Sequence, residues 1–284
     1  MFKKIFFAAA LLLASELIAK PVVIASIAPV GYLAKAVGGD KIEVQSLAKG
    51  DVHSYEPKPN DMKAVAKARI FIAAGLEFEE AWIPRFKASA KNLVVVKSDA
   101  KIAKLKEERG EQAEHDEKHE AHADPHVWLN PMLAITMARN ISDALIDMDK
   151  ANKDFYLENF QKLMNDLLAF DESAKESLAG LKNRKFVVYH PAWGYFAAHY
   201  DLEQISIERS GKEPKIDEMA STLKMIKDEN IKVIFADPNR SQKSAQVLAS
   251  QTGAKVELLD PLGYNLLENL KIAVGAIKDA NSPK

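Results

Sequence analysis

Cysteine is absent from all 284 residues of the chain. This absence excludes disulfide bonds and thiol catalysis, so a tight transition-metal site would have to use imidazole and carboxylate groups. Beyond the N-terminal segment, no apolar run approaches the length needed to span a bilayer. Positive charge is not in excess either: the net charge of −1 argues against nucleic acid as a partner.

The N-terminal residues predict an export signal. Lys3 and Lys4 precede an apolar run that is too short to span a bilayer, and Ala19 offers a small residue for cleavage. We therefore expect residues 1–19 to be a signal peptide that is removed, leaving a periplasmic protein with a net charge of −2. No cysteine follows the apolar run, so no lipid anchor is expected. The alternative is a buried N-terminal helix.

Two halves of the chain show the same pattern of short β-branched runs separated by helical stretches, which predicts an α/β fold with parallel sheets. A shift of 163 positions overlays the strands of the two halves and indicates two similar lobes, each with a four-stranded sheet. The predicted strands are Val22–Ser26, Ile42–Leu47, Ile70–Ala74 and Leu93–Val96, then Phe186–Tyr189, Gln204–Ile207, Val233–Ala236 and Val256–Leu259.

The stretch between the halves is free of proline over residues 152–179 and has helical apolar spacing. It predicts one rigid helix of about 42 Å, at about 1.5 Å per residue, which follows another helix over Pro131 to Met148. We expect four regions: the signal peptide 1–19, an N-terminal lobe 20–150 with a mobile acidic loop 105–124, a linker helix 151–180, and a C-terminal lobe 181–284.

Four polar residues lie where ligands bind in open α/β sheets, beyond the carboxyl ends of strands. His53 follows the second predicted strand, His190 and Asp260 come directly after two others, and His126 stands where order resumes after the acidic loop. Singly, each of these residues reads as a polar loop residue. Together, three imidazoles and one carboxylate would form a four-coordinate site that suits Zn(II).

The remaining histidines carry weaker signals. His115, His119 and His122 have i, i+4, i+7 spacing within an acidic run. That run is either a weak, exchangeable metal-capture segment or simply a solvated charged stretch, because ordering a mobile loop costs too much entropy for a tight site. His199 lies in a predicted helix and reads as a helix-surface or packing residue.

Several motifs together resemble the solute-binding proteins of zinc and manganese ABC importers, most closely the periplasmic zinc-binding members. The resemblance covers essentially the whole mature chain. The segments that carry it are GDVHSYEP around His53, the His-rich acidic loop, DPHVWLNP around His126, YHPAWGYF around His190, and LLDPLG around Asp260.

The resemblance implies metal ligands at His53, His126 and His190, with Asp260 or a water as the fourth. Some zinc-binding members have a Glu directly before the first of these histidines, where this chain has Val52. Manganese-binding relatives carry Glu at the position of His190, so histidine there favours zinc. The implied fold is two lobes joined by one long helix.

The function implied is capture of zinc in the periplasm and its delivery to an inner-membrane ABC permease by a monomeric carrier that performs no chemistry. Two alternatives remain open at this stage. One is a manganese or iron carrier of the same family. The other is a zinc hydrolase, for which Glu56 and Glu208 are the candidate bases, although no HExxH motif is present.

Overall fold

The computed structural model of the protein describes residues 20–106, 123–208 and 216–281. The predicted signal peptide and the accessory histidines His115, His119 and His122 lie outside these ranges. Within the described ranges, no helix is both long enough and apolar enough to cross a membrane.

Two parallel four-stranded sheets form the framework, one in each half of the chain. Their strand orders are β2-β1-β3-β4 and β6-β5-β7-β8, so the first strand of each half lies inside its sheet. The strands are β1 (Val22–Ala25), β2 (Glu43–Ser46), β3 (Ile70–Ala73), β4 (Val94–Lys97), β5 (Lys185–Val188), β6 (Glu203–Ser206), β7 (Val233–Ala236) and β8 (Lys255–Leu258).

Helices fill the connections between parallel strands, as such crossovers require. In chain order they are α1 (Ala28–Gly38), α2 (Pro59–Val65), α3 (Glu77–Ser89), α4 (Pro131–Met148), α5 (Lys153–Ala179), α6 (Gly194–His199), α7 (Ile216–Asp228), α8 (Lys243–Thr252) and α9 (Leu266–Asn281). The α/β class, the two parallel sheets and the long helix predicted from the sequence are thereby confirmed.

The predicted strands agree with the observed ones to within about one residue at each end. The uniform shift of 163 positions holds only for the inner strands, where β1 corresponds to β5 and β3 to β7. Both outer strands of the second half start earlier than that shift requires. The two sheets therefore share their order, while the connecting segments differ in length.

Helix α4 begins where the sequence around Asn130 favours a start. The Asn130 side chain accepts hydrogen bonds from the backbone N–H groups of Met132 and Leu133, and Pro131 occupies the first turn, where its missing N–H costs nothing. This cap fixes the chain shortly after His126, so the loop that carries this histidine leads into the rigid helix α4.

Helix α5 spans 27 residues, or about 40 Å at about 1.5 Å per residue. It packs against α1 and α4 of the first half and against α9 of the second. The apolar residues of its buried face are Tyr156, Phe160, Leu163, Leu167, Phe170, Ala174 and Leu178. A single apolar stripe thus packs against helices from both halves.

The two halves also meet through hydrogen bonds near the sheets' carboxyl ends. Trp128 is fully buried and its Nε1 donates to the carbonyl oxygen of Pro261 at 2.8 Å. The Tyr195 hydroxyl donates to the Asp124 carbonyl oxygen at 2.7 Å and accepts from the Leu105 N–H at 2.9 Å. These bonds hold the segment that leads into His126 against the second half.

Candidate metal centre

Three histidines from separate parts of the chain come together between the halves. His53 lies in the loop after β2, His126 directly precedes a 3₁₀ turn, and His190 follows β5. One ring nitrogen from each lies within 4.8 Å of the others. Elsewhere in the described residues, no group of three or more potential ligands comes this close.

The spacing of these nitrogens fits a bound cation. His53 Nε2 and His190 Nε2 are 3.3 Å apart. Two nitrogens at about 2.0–2.1 Å from a tetrahedral Zn(II) would be separated by roughly 3.3 Å. His126 and His190 are buried, and His53 is partly buried, so an ion held here would be largely shielded from solvent.

The imidazole of His126 is oriented by a carboxylate two residues earlier. Asp124 Oδ1 lies 2.8 Å from His126 Nδ1 and accepts a second hydrogen bond from the His126 backbone N–H at 2.9 Å. A proton held on Nδ1 leaves the Nε2 lone pair available to a metal. Gly194 keeps the space behind this carboxylate open, because a Cβ there would lie 3.2 Å from Asp124 Oδ2.

The imidazole of His190 has two charged neighbours. Glu208 Oε2 lies 2.9 Å from His190 Nδ1, and Arg240 Nη1 approaches the same nitrogen at 2.7 Å. Arg240 also donates through Nη2 to Glu208 Oε1 at 3.0 Å. The buried carboxylate is thereby paired with a guanidinium as well as with the ring.

The third histidine is held through its backbone. Asp51 Oδ1 accepts a hydrogen bond from the His53 N–H at 3.1 Å, and Asp51 Oδ2 accepts from the Ser54 hydroxyl at 3.1 Å. Arg240 Nη2 lies 3.7 Å from Asp51 Oδ2. Val52 is buried in a hydrophobic cluster that includes residues of both halves, so the residue before His53 contributes to packing.

The environment favours neutral imidazoles, the form that binds metal. Burial, followed by repulsion from His126 and Arg240, lowers the pKa of His53 to about 4. The same causes, with burial again the largest, place the pKa of His190 well below its usual value. Protons therefore compete poorly for these two rings at neutral pH.

Asp260 follows β8 as the sequence predicts, and its Oδ1 accepts hydrogen bonds from Asn239 Nδ2 and the Leu262 N–H, both at 2.8 Å. It is not part of the group of three histidine nitrogens. Its place as the fourth ligand stays a prediction.

The other residues singled out from the sequence do not belong to the group of three ring nitrogens. His199 ends α6 and its Nε2 lies 2.6 Å from Asp171 Oδ1 on α5, a packing role. Glu56 is exposed, whereas Glu208 is buried and paired with His190 and Arg240. Neither arrangement resembles a general base beside an open metal position.

Sequence reasoning did not identify the residues that support the histidines. Asp51, Asp124 and Arg240 have no spacing signal that distinguishes them from other charged loop residues. Of the three, Asp124 was the easiest to infer from the sequence, because a carboxylate two residues before a histidine can reach the Nδ1 of that histidine. Arg240 could not be found this way, since 50 positions separate it from His190.

Comparisons with known proteins identify the family and agree with the fold. Residues 23–280 match the family described as "ZnuA: Zinc-uptake complex component A periplasmic". The chain is 30% identical over 279 residues to the "High-affinity zinc uptake system protein ZnuA" of Bacillus subtilis, covering 91% of this chain and 86% of that protein.

Solved structures give the same result. A crystal structure of ZnuA superposes with a TM-score of 0.85 at 35% identity and covers 93% of this chain and 100% of its own. A ZnuA deletion mutant with zinc bound gives a TM-score of 0.86 at 34% identity, with 93% and 99% covered. The family resemblance inferred from the motifs is confirmed. The chain is a binding protein and not an enzyme, which removes the hydrolase alternative. It belongs to the ZnuA family of periplasmic zinc-uptake proteins, the solute-binding components of metal ABC importers.

Proposed function

We propose that this protein captures Zn(II) outside the cytoplasmic membrane and delivers it to an ABC-type permease in that membrane. The observation that supports this best is the group of three histidine nitrogens within 4.8 Å of one another. Three imidazoles with a fourth ligand form the usual coordination of Zn(II) in proteins. Zinc is the cargo, so the site has to bind and later release it.

The choice of zinc over manganese rests on the ligand chemistry. Imidazole suits Zn(II), whereas Mn(II) prefers carboxylate and other oxygen ligands. All three grouped ligands are histidines, including His190, at the position where the resemblance implies Glu in manganese carriers. Two relatives support the same choice, since one is a zinc-uptake protein and the structure of another has zinc bound.

Two further parts of the proposal concern the fourth ligand and the state of the protein. Asp260 Oδ1 already accepts hydrogen bonds from Asn239 and the Leu262 N–H, so Oδ2 is the oxygen that would bind the ion, and a water is the alternative fourth ligand. We further propose that residues 1–19 are a cleaved export signal and that the mature carrier is a monomer. In this proposal His115, His119 and His122 form only an accessory, weaker capture segment.

Competition between metals tests the proposal. Metal-free protein would be titrated with Zn(II) and with Mn(II) against a chelator of known affinity. We expect zinc to bind far more tightly, and a preference for Mn(II) would refute the zinc assignment. His199→Ala is the matched control, because it removes a histidine that pairs with Asp171 away from the site; it should bind zinc as the unmodified protein does.

A further inference from the structure

A cation already lies beside the three histidines. Arg240 is in the loop between β7 and α8, and its side chain is only 15% exposed. Its guanidinium contacts Glu208 at 3.0 Å in the second half and lies 3.7 Å from Asp51 in the loop that carries His53. Arg240 thus bridges the same two halves that a metal bound by the histidines would bridge.

Arg240 and Glu208 approach the same atom. Both lie within hydrogen-bond distance of His190 Nδ1, at 2.7 and 2.9 Å. A ring nitrogen of neutral imidazole carries either a proton or a lone pair, so it can donate to the carboxylate or accept from the guanidinium, but cannot do both. The two neighbours therefore favour opposite tautomers of His190.

The two tautomers differ in their ability to hold a metal. When Nδ1 carries the proton and donates to Glu208, the Nε2 lone pair faces His53 and can coordinate an ion. When Arg240 donates to Nδ1, the proton is on Nε2 and blocks coordination there. Metal binding at Nε2 thus requires Arg240 to give up its bond to the ring.

The charge of Arg240 acts in the same direction. A guanidinium stays protonated at all accessible pH values, and its attraction or repulsion is poorly screened in a buried site. Arg240 Nη1 lies 2.7 Å from His190 Nδ1, and His190 Nε2 lies 3.3 Å from His53 Nε2, so the guanidinium repels positive charge at either ring. A divalent cation between these rings would experience the same repulsion.

The loop that carries Arg240 also carries Asn239, the residue that holds Asp260. Asn239 is fixed in turn by Asp237, whose Oδ1 accepts from the Asn239 N–H at 2.8 Å. A movement of this short segment would therefore change the surroundings of His190 and of Asp260 together. Because Arg240 and Asn239 are adjacent in the chain, the position of the guanidinium is coupled to that of Asp260, the expected fourth ligand.

We propose that Arg240 is a built-in competitor of the cargo ion, which lowers the affinity of the site and accelerates release by returning to His190 and Glu208. The inference rests on the proposed function only in requiring that some divalent ion binds at the three histidines. Its consequence is an affinity set below the maximum that the ligands could provide, as a carrier that must unload its ion requires.

The test compares three variants with the unmodified protein. Arg240→Gln removes the charge, Arg240→Lys keeps a charge and a donor, and Lys243→Gln removes a charge from the exposed start of α8 as the matched control. Zn(II) affinity is measured by chelator competition, and the dissociation rate by stopped-flow mixing of the zinc-loaded protein with excess chelator.

We expect Arg240→Gln to bind Zn(II) about tenfold more tightly and to release it correspondingly more slowly, as removing a nearby like charge implies. Arg240→Lys should gain less affinity than Arg240→Gln because it keeps the charge, and Lys243→Gln should stay within about threefold of the unmodified protein. Unchanged or weaker binding by Arg240→Gln would overturn the proposal, as would an equal gain in Lys243→Gln.

A second measurement needs no variant and no metal. Long-range ¹H–¹⁵N spectra of ¹⁵N-histidine-labelled, metal-free protein report which nitrogen of His190 carries its proton. We expect the proton on Nε2, with transfer to Nδ1 when Zn(II) is added. A proton on Nδ1 in the metal-free protein would overturn the proposal. A preference for Mn(II) would refute the zinc assignment and leave this result unchanged.

Discussion

Asp124 should determine how tightly His126 holds the metal. Its carboxylate is buried and accepts hydrogen bonds from both Nδ1 and the backbone N–H of His126, at 2.8 and 2.9 Å. Asp124→Asn keeps the size of the side chain and one acceptor but removes the negative charge. Asp124→Ala removes the ring's partner altogether.

The expected loss follows from the role of such carboxylates. Removing the partner of a metal-ligating histidine typically weakens metal binding by about 10–100-fold, or about 1.4–2.8 kcal/mol at about 1.4 kcal/mol per tenfold. Asp124→Asn should fall near the lower end and Asp124→Ala near the upper end. The bond from Tyr195 to Asp124 involves the backbone carbonyl and should survive both changes.

Zn(II) affinity measured by chelator competition checks this prediction. Asp171→Asn is a close control, because Asp171 is another buried carboxylate paired with a histidine, His199, at 2.6 Å but outside the site. Wild-type affinity in both Asp124 variants would refute the reasoning. An equal loss in Asp171→Asn would show that the effect is a general weakening of the fold.

Three further outcomes are expected. Single replacement of His53, His126 or His190 by Ala should each weaken Zn(II) binding by more than about 100-fold in the same titration, because each removes a ligand. Deletion of residues 111–122 should leave tight binding nearly intact, and its loss would mean that the wrong histidines were assigned. The free energy of unfolding of metal-free protein should fall by up to about 3 kcal/mol between about pH 6.5 and 4 because of His53. The pKa of His53 is about 4 in the folded protein, so the unfolded chain binds this proton first as the pH falls. Urea unfolding at both pH values should show a smaller difference in His53→Gln.

The fold could be predicted largely because its inner strands are short apolar, β-branched runs that are buried on both faces. β3 and β7 are buried at all four positions, which leaves an uninterrupted apolar signal in the sequence. The edge strands β4 and β8 are more exposed, and β8 also carries two charged residues among its four. Local composition carries less information at the edges of a sheet.

The three grouped histidines could be predicted because each follows a recognisable motif or strand end. Their partners could not, because a hydrogen bond such as that between Arg240 and His190 depends on how two loops are juxtaposed by the whole fold. Asp260 is a second case in which a contact depends on the tertiary structure. The sequence places it at a strand end, but its hydrogen bond from Asn239 depends on the conformation of a neighbouring loop.

The hydrogen bonds around Tyr195 have a consequence for how the protein can vary. Lys106 and Ala123 form an antiparallel bridge, the Asp124 N–H donates to the Leu105 carbonyl at 2.9 Å, and the Tyr195 hydroxyl bonds to both strands of this stem. The stem holds its two ends together whatever lies between them, and doubling a loop's length costs only about 0.6 kcal/mol. A change in the length of the segment between Lys106 and Ala123 should therefore leave the neighbouring metal centre undisturbed. Sequences of very different length, including a fluorescent domain that reports on zinc, could be accommodated there without disturbing His126.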